Sequence, residues 1–277
     1  MQLSVIVPTL ANHDNFLASC ESIAANLPQD SELLIAYNGK ADGLAGVKSR
    51  LAHLPAARVL QATEYGGISK TCNEALRASS GEYVAYFHDD VILKDPQWFA
   101  KLRRVLDTRP DVGMAGGSEA KYIDRSAAEL PPAGPDGVTE CDWSPTISLT
   151  RRSAMEAGCL FDEFYLVGLE DKDWALAFRR KGLKVGYFPV EHEHIGNQGS
   201  YSLFTGEKSF LDYYSKEGPR ERYFLQKNKD VLKPAYYDAS WEKWSAMDRN
   251  WKKKWWKVLY LRHYRTRMWE ALRGLFK

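Results

Sequence analysis

Short apolar runs alternate with segments of helical periodicity through the first part of the chain. Leu3-Ser4-Val5-Ile6-Val7-Pro8 predicts a buried strand that Pro8 stops. From Asn12 to Asn26 the apolar residues Phe16, Leu17, Cys20 and Ile23 recur near helical spacing, with Leu27 just beyond. Residues 32–37 predict a second strand, closed by the turn pair Asn38-Gly39. A helix over 44–54 and a short strand over 58–60 follow. Gly66-Gly67 opens a helix through Ile68, Cys72, Ala75 and Leu76 that ends at Gly81. Tyr83 to Phe87 is the next strand, Pro96 starts a helix through Trp98, Phe99, Leu102, Val105 and Leu106, and residues 112–116 give a further strand. Strands alternating with helices in this way predict an α/β fold: a Rossmann-like, mostly parallel central sheet with helices on both faces.

The alternation then breaks. Pro131, Pro132, Gly134, Pro135 and Gly137 mark a long loop within 124–146. Residues 147–149 predict a strand and 152–157 a short helix ending at Gly158. A helix over 175–182 carries a basic last turn and a terminal glycine, and 184–188 is strand-like. Residues 220–232 predict a helix with Tyr223, Phe224 and Leu225 inward.

With 277 residues, 44% hydrophobic and 27% charged, the chain has the composition of a soluble protein with one large core and a small appendage. Cys20, Cys72, Cys141 and Cys159 form no C-x-x-C pair, which argues against a zinc site or disulfide framework and fits a reducing compartment. The start MQLSVIVPTL lacks a basic leader and is cut by Pro8, so it does not read as a signal peptide, and no apolar run is long enough to span a bilayer. The glycine fingerprints of dinucleotide sites and P-loops are missing, which lowers the odds of an NAD enzyme or an ATPase. The net charge of +2 hides an asymmetry. Residues 249–277 carry ten Lys/Arg against one acid, Glu270, a net of +9 that leaves −7 for the rest.

Two acidic constellations carry candidate chemistry. The run over 83–91 ends in His88-Asp89-Asp90, which places two carboxylates at the carboxyl edge of a sheet, where open α/β folds bind ligands. Adjacent like charges need a cation, and oxygen ligands with a nearby histidine suit Mg or Mn and a diphosphate. The plainer reading is a strand followed by a solvated acidic turn. Glu170, Asp171 and Asp173 form the second cluster, for which the favourable field of a helix N-terminus is a sufficient plain reason. His192 and His194 lie two residues apart, so on a strand they share a face and either can supply a metal ligand.

Taken in order, SVIVPTL, AYNG, GGISKTCNEAL, GEYVAYFHDDV, CLFDEFYLVGLEDKDWALAFRRKG and HEHIG resemble the family-2 glycosyltransferases of the GT-A fold, of the type that builds bacterial cell-surface polysaccharide. The resemblance covers roughly residues 1 to 200, and rests on the order and spacing of motifs that are individually weak. It implies an inverting, metal-dependent transfer of a sugar from a nucleoside-diphosphate donor, UDP before TDP, to a hydroxyl of a glycan or lipid-linked acceptor. On the donor side it implies Pro8, Tyr37, Asn38, Gly67, Lys70, Asn73 and Asp89. Tyr37 stands where the family more often has Asp, and His88 replaces the first acid of the D-x-D-type motif. Asp90 aligns with the metal-binding acid, and His194 with a further metal ligand, His192 being the alternative; the cation is Mn or Mg. Asp171 is the implied base, while Glu170, Asp173 and Trp174 fall on the acceptor side. Phe161 matches the family's G-x-F-D-E segment, but core packing is the simpler role for it.

The expected organisation is a nucleotide-sugar-binding half (1–115), an acceptor-binding half (116–215) and a helical C-terminal extension (216–277). In that extension Trp241, Trp244, Trp251, Trp255 and Trp256 interleave with Lys252, Lys253, Lys254 and Lys257. Such a composition suits an amphipathic segment lying on anionic lipid, here over 249–277, on the inner face of the cytoplasmic membrane. The aromatics are equally able to pack on the catalytic body or to pair two chains into a homo-oligomer. No nucleic-acid partner is expected, because the body is acidic and lacks an RNA-binding motif. Two other readings remain. One is a silent binding module that keeps the fold. The other is a sugar-1-phosphate nucleotidyltransferase, disfavoured because Pro8 to Asn12 is not a Gly-rich, Arg-containing loop.

Overall fold

The computed structural model describes residues 1–10, 15–62, 66–118, 133–142, 146–166, 168–195, 218–232, 234, 236–246 and 249. The chain forms two compact units, 1–208 and 209–277. In the first, the strands are β1 (Leu3–Thr9), β2 (Ser31–Tyr37), β3 (Ala57–Gln61), β4 (Tyr83–Phe87), β5 (Val91–Leu93), β6 (Val112–Gly116), β7 (Thr139–Cys141), β8 (Ile147–Arg151), β9 (Lys184–Tyr187) and β10 (His192–His194). The helices are α1 (Asn15–Ala25), α2 (Leu44–Arg50), α3 (Ile68–Ala78), α4 (Trp98–Thr108), α5 (Arg152–Glu156) and α6 (Glu170–Arg180).

The described residues build one eight-stranded sheet in the order β3-β2-β1-β4-β8-β6-β9-β7, with β5 and β10 as a separate antiparallel pair. β3, β2, β1 and β4 run parallel; β8 and β7 oppose their neighbours, so the sheet is mostly parallel, as the alternation of runs predicts. All seven residues of β1 are buried, which requires cover on both faces and explains its unbroken apolar run. The strand order reverses between β1 and β4, and the crevice beyond their carboxyl ends is where such sheets receive ligands.

The core sits around β1 and β4. Trp98 is fully buried, meets Phe87 edge-on with centroids 5.1 Å apart, and donates from Nε1 to the Asn26 carbonyl at 2.9 Å. Burying each such side chain stabilises by roughly 1.5–3 kcal/mol. At Gly81 a Cβ would run into the β1 backbone at Leu3 and Ser4, so only glycine lets β4 begin this close to β1.

Several local expectations are corrected. Pro8 does not stop β1, which continues to Thr9. Thr9 accepts from the Asn38 N–H on the β2 side, so Pro8 faces the β4 side, where the register ends at Ile6↔Tyr86 and no N–H is required. The helix expected over 175–182 begins at Glu170, because Gly168 and Leu169 turn left-handed (φ +80° and +71°) and aim the acidic residues into the first turn. The segment read as loop contains β7, and β5·β10 had no counterpart among the expected strands.

The second unit holds α7 (Gly218–Asn228), with Phe224 and Leu225 buried, and a helical stretch over 236–246. There Tyr237 stacks on Trp241 and Trp241 meets Trp244, an i, i+4, i+7 stripe that continues to Arg222 over the Trp244 ring. The expected lipid-facing segment lies outside the described residues except for Arg249. Among the described residues no helix is long and apolar enough to cross a membrane.

Candidate active site

β4 delivers His88, Asp89 and Asp90 to the carboxyl edge of the sheet. The His88 N–H donates to the Thr146 carbonyl at 3.1 Å, which continues the β4·β8 pairing by one residue. Thr9 Oγ1 donates to Asp89 Oδ2 at 2.6 Å, which ties the end of β4 to the end of β1. The chain then runs into β5, whose partner β10 is set in register by His194↔Val91 and His192↔Leu93. The Ile195 N–H donates to the Asp90 carbonyl at 3.0 Å. This register brings His194 Nε2 to 3.3 Å from Asp90 Oδ1.

His88 joins them. One ligand atom from each of His88, Asp90 and His194 lies within 4.8 Å of the others. The His88 and His194 rings are 5.8 Å apart and inclined at 72°, converging rather than stacking. Two imidazole nitrogens and a carboxylate on one patch fit a divalent cation. From the sequence, His88 counts as a histidine near the oxygen ligands and as the replacement for the motif's first acid, with no ligand role of its own. The available signal was its place two residues before Asp90, although β4 ends at Phe87 and the chain turns at Asp89 and Asp90, so strand alternation does not account for their meeting. His192 stays outside the cluster, with Nδ1 at 2.8 Å from the Val190 carbonyl.

Asp171 sits in the first turn of α6, half-buried, with Oδ1 accepting the Lys172 N–H at 2.7 Å. Its charge reaches the cluster: burial lowers the His88 pKa, and the charges of Asp171 and then Asp90 act to raise it. Glu170, the preceding residue, is buried. Burial, followed by the charges of Cys72, Glu170, Asp171 and Asp89, holds the Tyr86 phenol far above its ordinary range.

Other expected site residues fall elsewhere. Asp173 and Trp174, expected on the acceptor side, are 0% and 2% exposed. Positions 170, 173, 174 and 177 share the inward face of α6, which leaves Asp173 3.5 Å from Arg180 and Trp174 stacked on Phe161 with centroids 4.4 Å apart. Trp174 Nε1 donates to the Cys159 carbonyl at 3.1 Å. The core role foreseen for Phe161 is the one it occupies. Asn73, expected on the donor, clamps the segment over 161–163 instead. It donates to Phe161 O at 2.9 Å and Glu163 Oε1 at 3.0 Å and accepts the Phe161 N–H at 3.2 Å. Tyr37 is 4% exposed and donates to the Lys40 carbonyl at 3.0 Å, with Gly39 and Gly43 packed too closely on its phenol to allow a Cβ. It therefore shapes the turn after β2 from beneath.

The remaining residues expected on the donor side lie in β1, just after β2 and at the start of α3. Asn38 is 7% exposed, and its Oδ1 is buried with no hydrogen-bond partner among the described residues. Pro8 is buried in β1. Gly67 opens α3 at φ +90°, where a Cβ would lie 2.7 Å from Leu166 Cα, and Lys70 is half-buried in the first turn. The fold thus gathers Asp89, Asp90, His194, His88 and Asp171, and turns Tyr37, Asn73, Asp173 and Trp174 into supports.

The model of the family described as Glycosyl transferase family 2 matches residues 4–152. Among solved structures, S. aureus TarS 1–349 shares the fold at a TM-score of 0.56 and 16% identity, over 87% of this chain and 69% of that one. A longer S. aureus TarS structure matches at 0.57, and there the chain covers 43% of the neighbour. The mannosyltransferase PcManGT from Pyrobaculum calidifontis, solved with GDP-Man and Mn2+, matches at 0.53 and 19% identity over 88% of this chain and 75% of that one. TarS 1–349 has also been solved with UDP-GlcNAc. Since the family model spans more than half of the residues and includes the strand that delivers Asp89 and Asp90, the chain belongs to glycosyl transferase family 2 and is a glycosyltransferase of the GT-A fold.

Proposed function

We propose that this glycosyltransferase inverts the anomeric centre, requires a divalent cation, Mn or Mg, and moves a sugar from a UDP donor, with TDP second, to a hydroxyl of a glycan or lipid-linked acceptor. The observation that carries the reading is the placement of Asp171 within electrostatic reach of the His88, Asp90 and His194 cluster at the switch point of the sheet. A carboxylate there is a base beside the site where a diphosphate would leave.

In this reading Asp171 takes the proton of the acceptor hydroxyl. The oxygen attacks the anomeric carbon from the face opposite the diphosphate. Its bond to carbon forms as the carbon–oxygen bond to the diphosphate breaks, and that electron pair leaves on the phosphate oxygen. One displacement inverts the configuration, so a single base is enough. A divalent cation held by Asp90 and His194 would supply positive charge against the charge that develops on the leaving diphosphate. Asp89, fixed by Thr9, faces the sugar or ribose. The buried Oδ1 of Asn38 offers an acceptor to an N–H of the base. Glu170, the residue before Asp171, supports the acceptor side. Residues 249–277 hold the enzyme on the inner face of the cytoplasmic membrane, next to a lipid-linked acceptor.

The test is calorimetric titration of UDP, TDP, GDP and CDP into the metal-stripped protein, with and without Mn. The neighbours solved with UDP-GlcNAc and with GDP-Man make the base a point to measure. UDP binding that needs the cation is the expected result. Binding of none of the four nucleotides would overturn the reading.

A further inference from the structure

We infer that Phe164 is the acceptor platform of this chain: its exposed ring stacks on a sugar that neighbours the one whose hydroxyl reacts. The acceptor is then a glycan of two or more sugars, not a lipid chain that carries the reacting group alone. The inference rests on reading Asp171 as the base of a transferase, and it deepens that reading by choosing the acceptor class and naming the side chain that receives it.

Apolar exposure gathers in one segment. Among the described residues the exposed large apolar side chains, Met1 apart, are Leu160, Phe164 and Leu166, and Phe164 is the aromatic one, 46% exposed. Phe161 and Tyr165, from the same segment, are buried. The backbone is held from several sides. Asn73 clamps it at Phe161 and holds the carboxylate of Glu163. Asp162 Oδ1 accepts the Phe164 N–H at 2.9 Å, and the Asp162 carbonyl accepts the Tyr165 N–H at 3.1 Å. The Leu166 carbonyl accepts the Ile68 N–H at 2.7 Å. The Phe164 ring meets the buried Tyr165 ring edge-on with centroids 5.8 Å apart, so the fold itself presents it outward. The segment also borders the candidate site. His88 meets Tyr86 and Tyr86 meets Phe161, each at 5.5 Å, which links its start to the cation cluster. At its far end the left-handed pair Gly168 and Leu169 leads into the first turn of α6, which carries Asp171.

A pyranose presents a face of C–H groups and a rim of hydroxyls. An aromatic ring receives the face through dispersion and apolar burial, and carboxylates accept from the rim. Both kinds of partner stand together here. Asp162 and Glu163 directly precede Phe164, and Glu163 is exposed, with Asn73 on one oxygen and the other available to a hydroxyl. The same carboxylates repel a phosphate or an anionic headgroup, so charge at this segment favours a glycan over a phosphorylated lipid. Trp174, the aromatic expected on the acceptor side, is claimed by the core, which leaves that work to Phe164. A sugar stacked there restrains its neighbour, a contribution to binding and orientation and not to proton transfer.

The experiment uses the full chain, with and without Mn and UDP, in saturation-transfer difference NMR. The probes are a panel of di- and trisaccharides (cellobiose, maltose, lactose and N,N′-diacetylchitobiose among them), with farnesyl phosphate as the lipid arm. At least one saccharide should receive saturation on the C–H protons of one ring. F164A and F164L should each weaken its binding by about fivefold or more, while F164W should retain it. Leucine keeps an apolar group at the position and removes the ring, so F164L separates stacking from plain apolarity. L160A, which removes another exposed apolar side chain of the segment, should match the parent protein. UDP affinity by calorimetry should not move in any variant, and circular dichroism checks that each is folded. Three results would each overturn the inference: no saccharide bound, binding undiminished in F164A and F164L, or saturation of farnesyl phosphate alone. The two failures are separable. UDP binding together with sugar binding indifferent to Phe164 removes the inference and leaves the transferase reading. Phe164-dependent sugar binding by a chain that binds no nucleotide does the reverse.

Discussion

Asp171 and Asn73 are both polar residues of the first unit, and they do different work. Asp171 is half-buried in the first turn of α6, where its charge is felt by His88. In the proposed mechanism, replacing it with Asn keeps the shape and removes the base. Transfer should fall by about a hundredfold or more, the usual weight of a positioned base, while nucleotide affinity by calorimetry stays within about twofold. Asn73 is buried, with its amide spent on the backbone of Phe161 and the carboxylate of Glu163. Asn73→Ala leaves the buried Phe161 N–H and carbonyl unsatisfied, and should cost about 1–3 kcal/mol in a urea melt. Its effect on transfer should follow the loss of folded protein.

At the scale of elements, the site depends on a ladder only three residues long. β5 and β10 carry no strong strand signal, yet their register decides which histidine meets Asp90. In an antiparallel pair a slip of one residue would turn His194 to the other face. Ile195→Pro removes the N–H that holds the Asp90 carbonyl and touches no ligand side chain. Mn(II) affinity by calorimetry should drop roughly tenfold, as for loss of a group that orients a ligand. The stability cost should stay near 1 kcal/mol, the worth of one hydrogen bond, as read by a denaturant midpoint. α6 is the second deciding element. Its start at Glu170 sets which acid faces the site and which lies in the core.

For the whole molecule, the charge division between an acidic body and a basic end bears on where the enzyme works. If residues 249–277 lie on anionic lipid, changing Lys252, Lys253, Lys254 and Lys257 together to Gln should weaken vesicle binding by about 1 kcal/mol per residue, or roughly a thousandfold in all. Sedimentation with anionic vesicles at low salt measures this, and the parent protein should itself release at high salt. The α/β order was legible from the sequence, because strand and helix periods are local and each apolar run of β1, β2 and β4 carries its own signature. Asp89 and Asp90 were legible as candidates for a similar reason: like charges gathered at the end of a buried run need a partner. Asp171 was singled out only by the family resemblance, since an acidic first turn has a plain cause in the helix dipole. What lay beyond reach was direction. Trp174 and Tyr37 are aromatic residues beside the site in the chain, and only packing shows that one is stacked on Phe161 and the other props up a turn. His88 and His194 are far apart in sequence, and their meeting rests on a register too short to leave a periodic trace. The sequence by itself determined which chemistry is present along the chain. The tertiary structure decided which of those residues converge, because convergence depends on long-range pairing and on which face of each element the core claims.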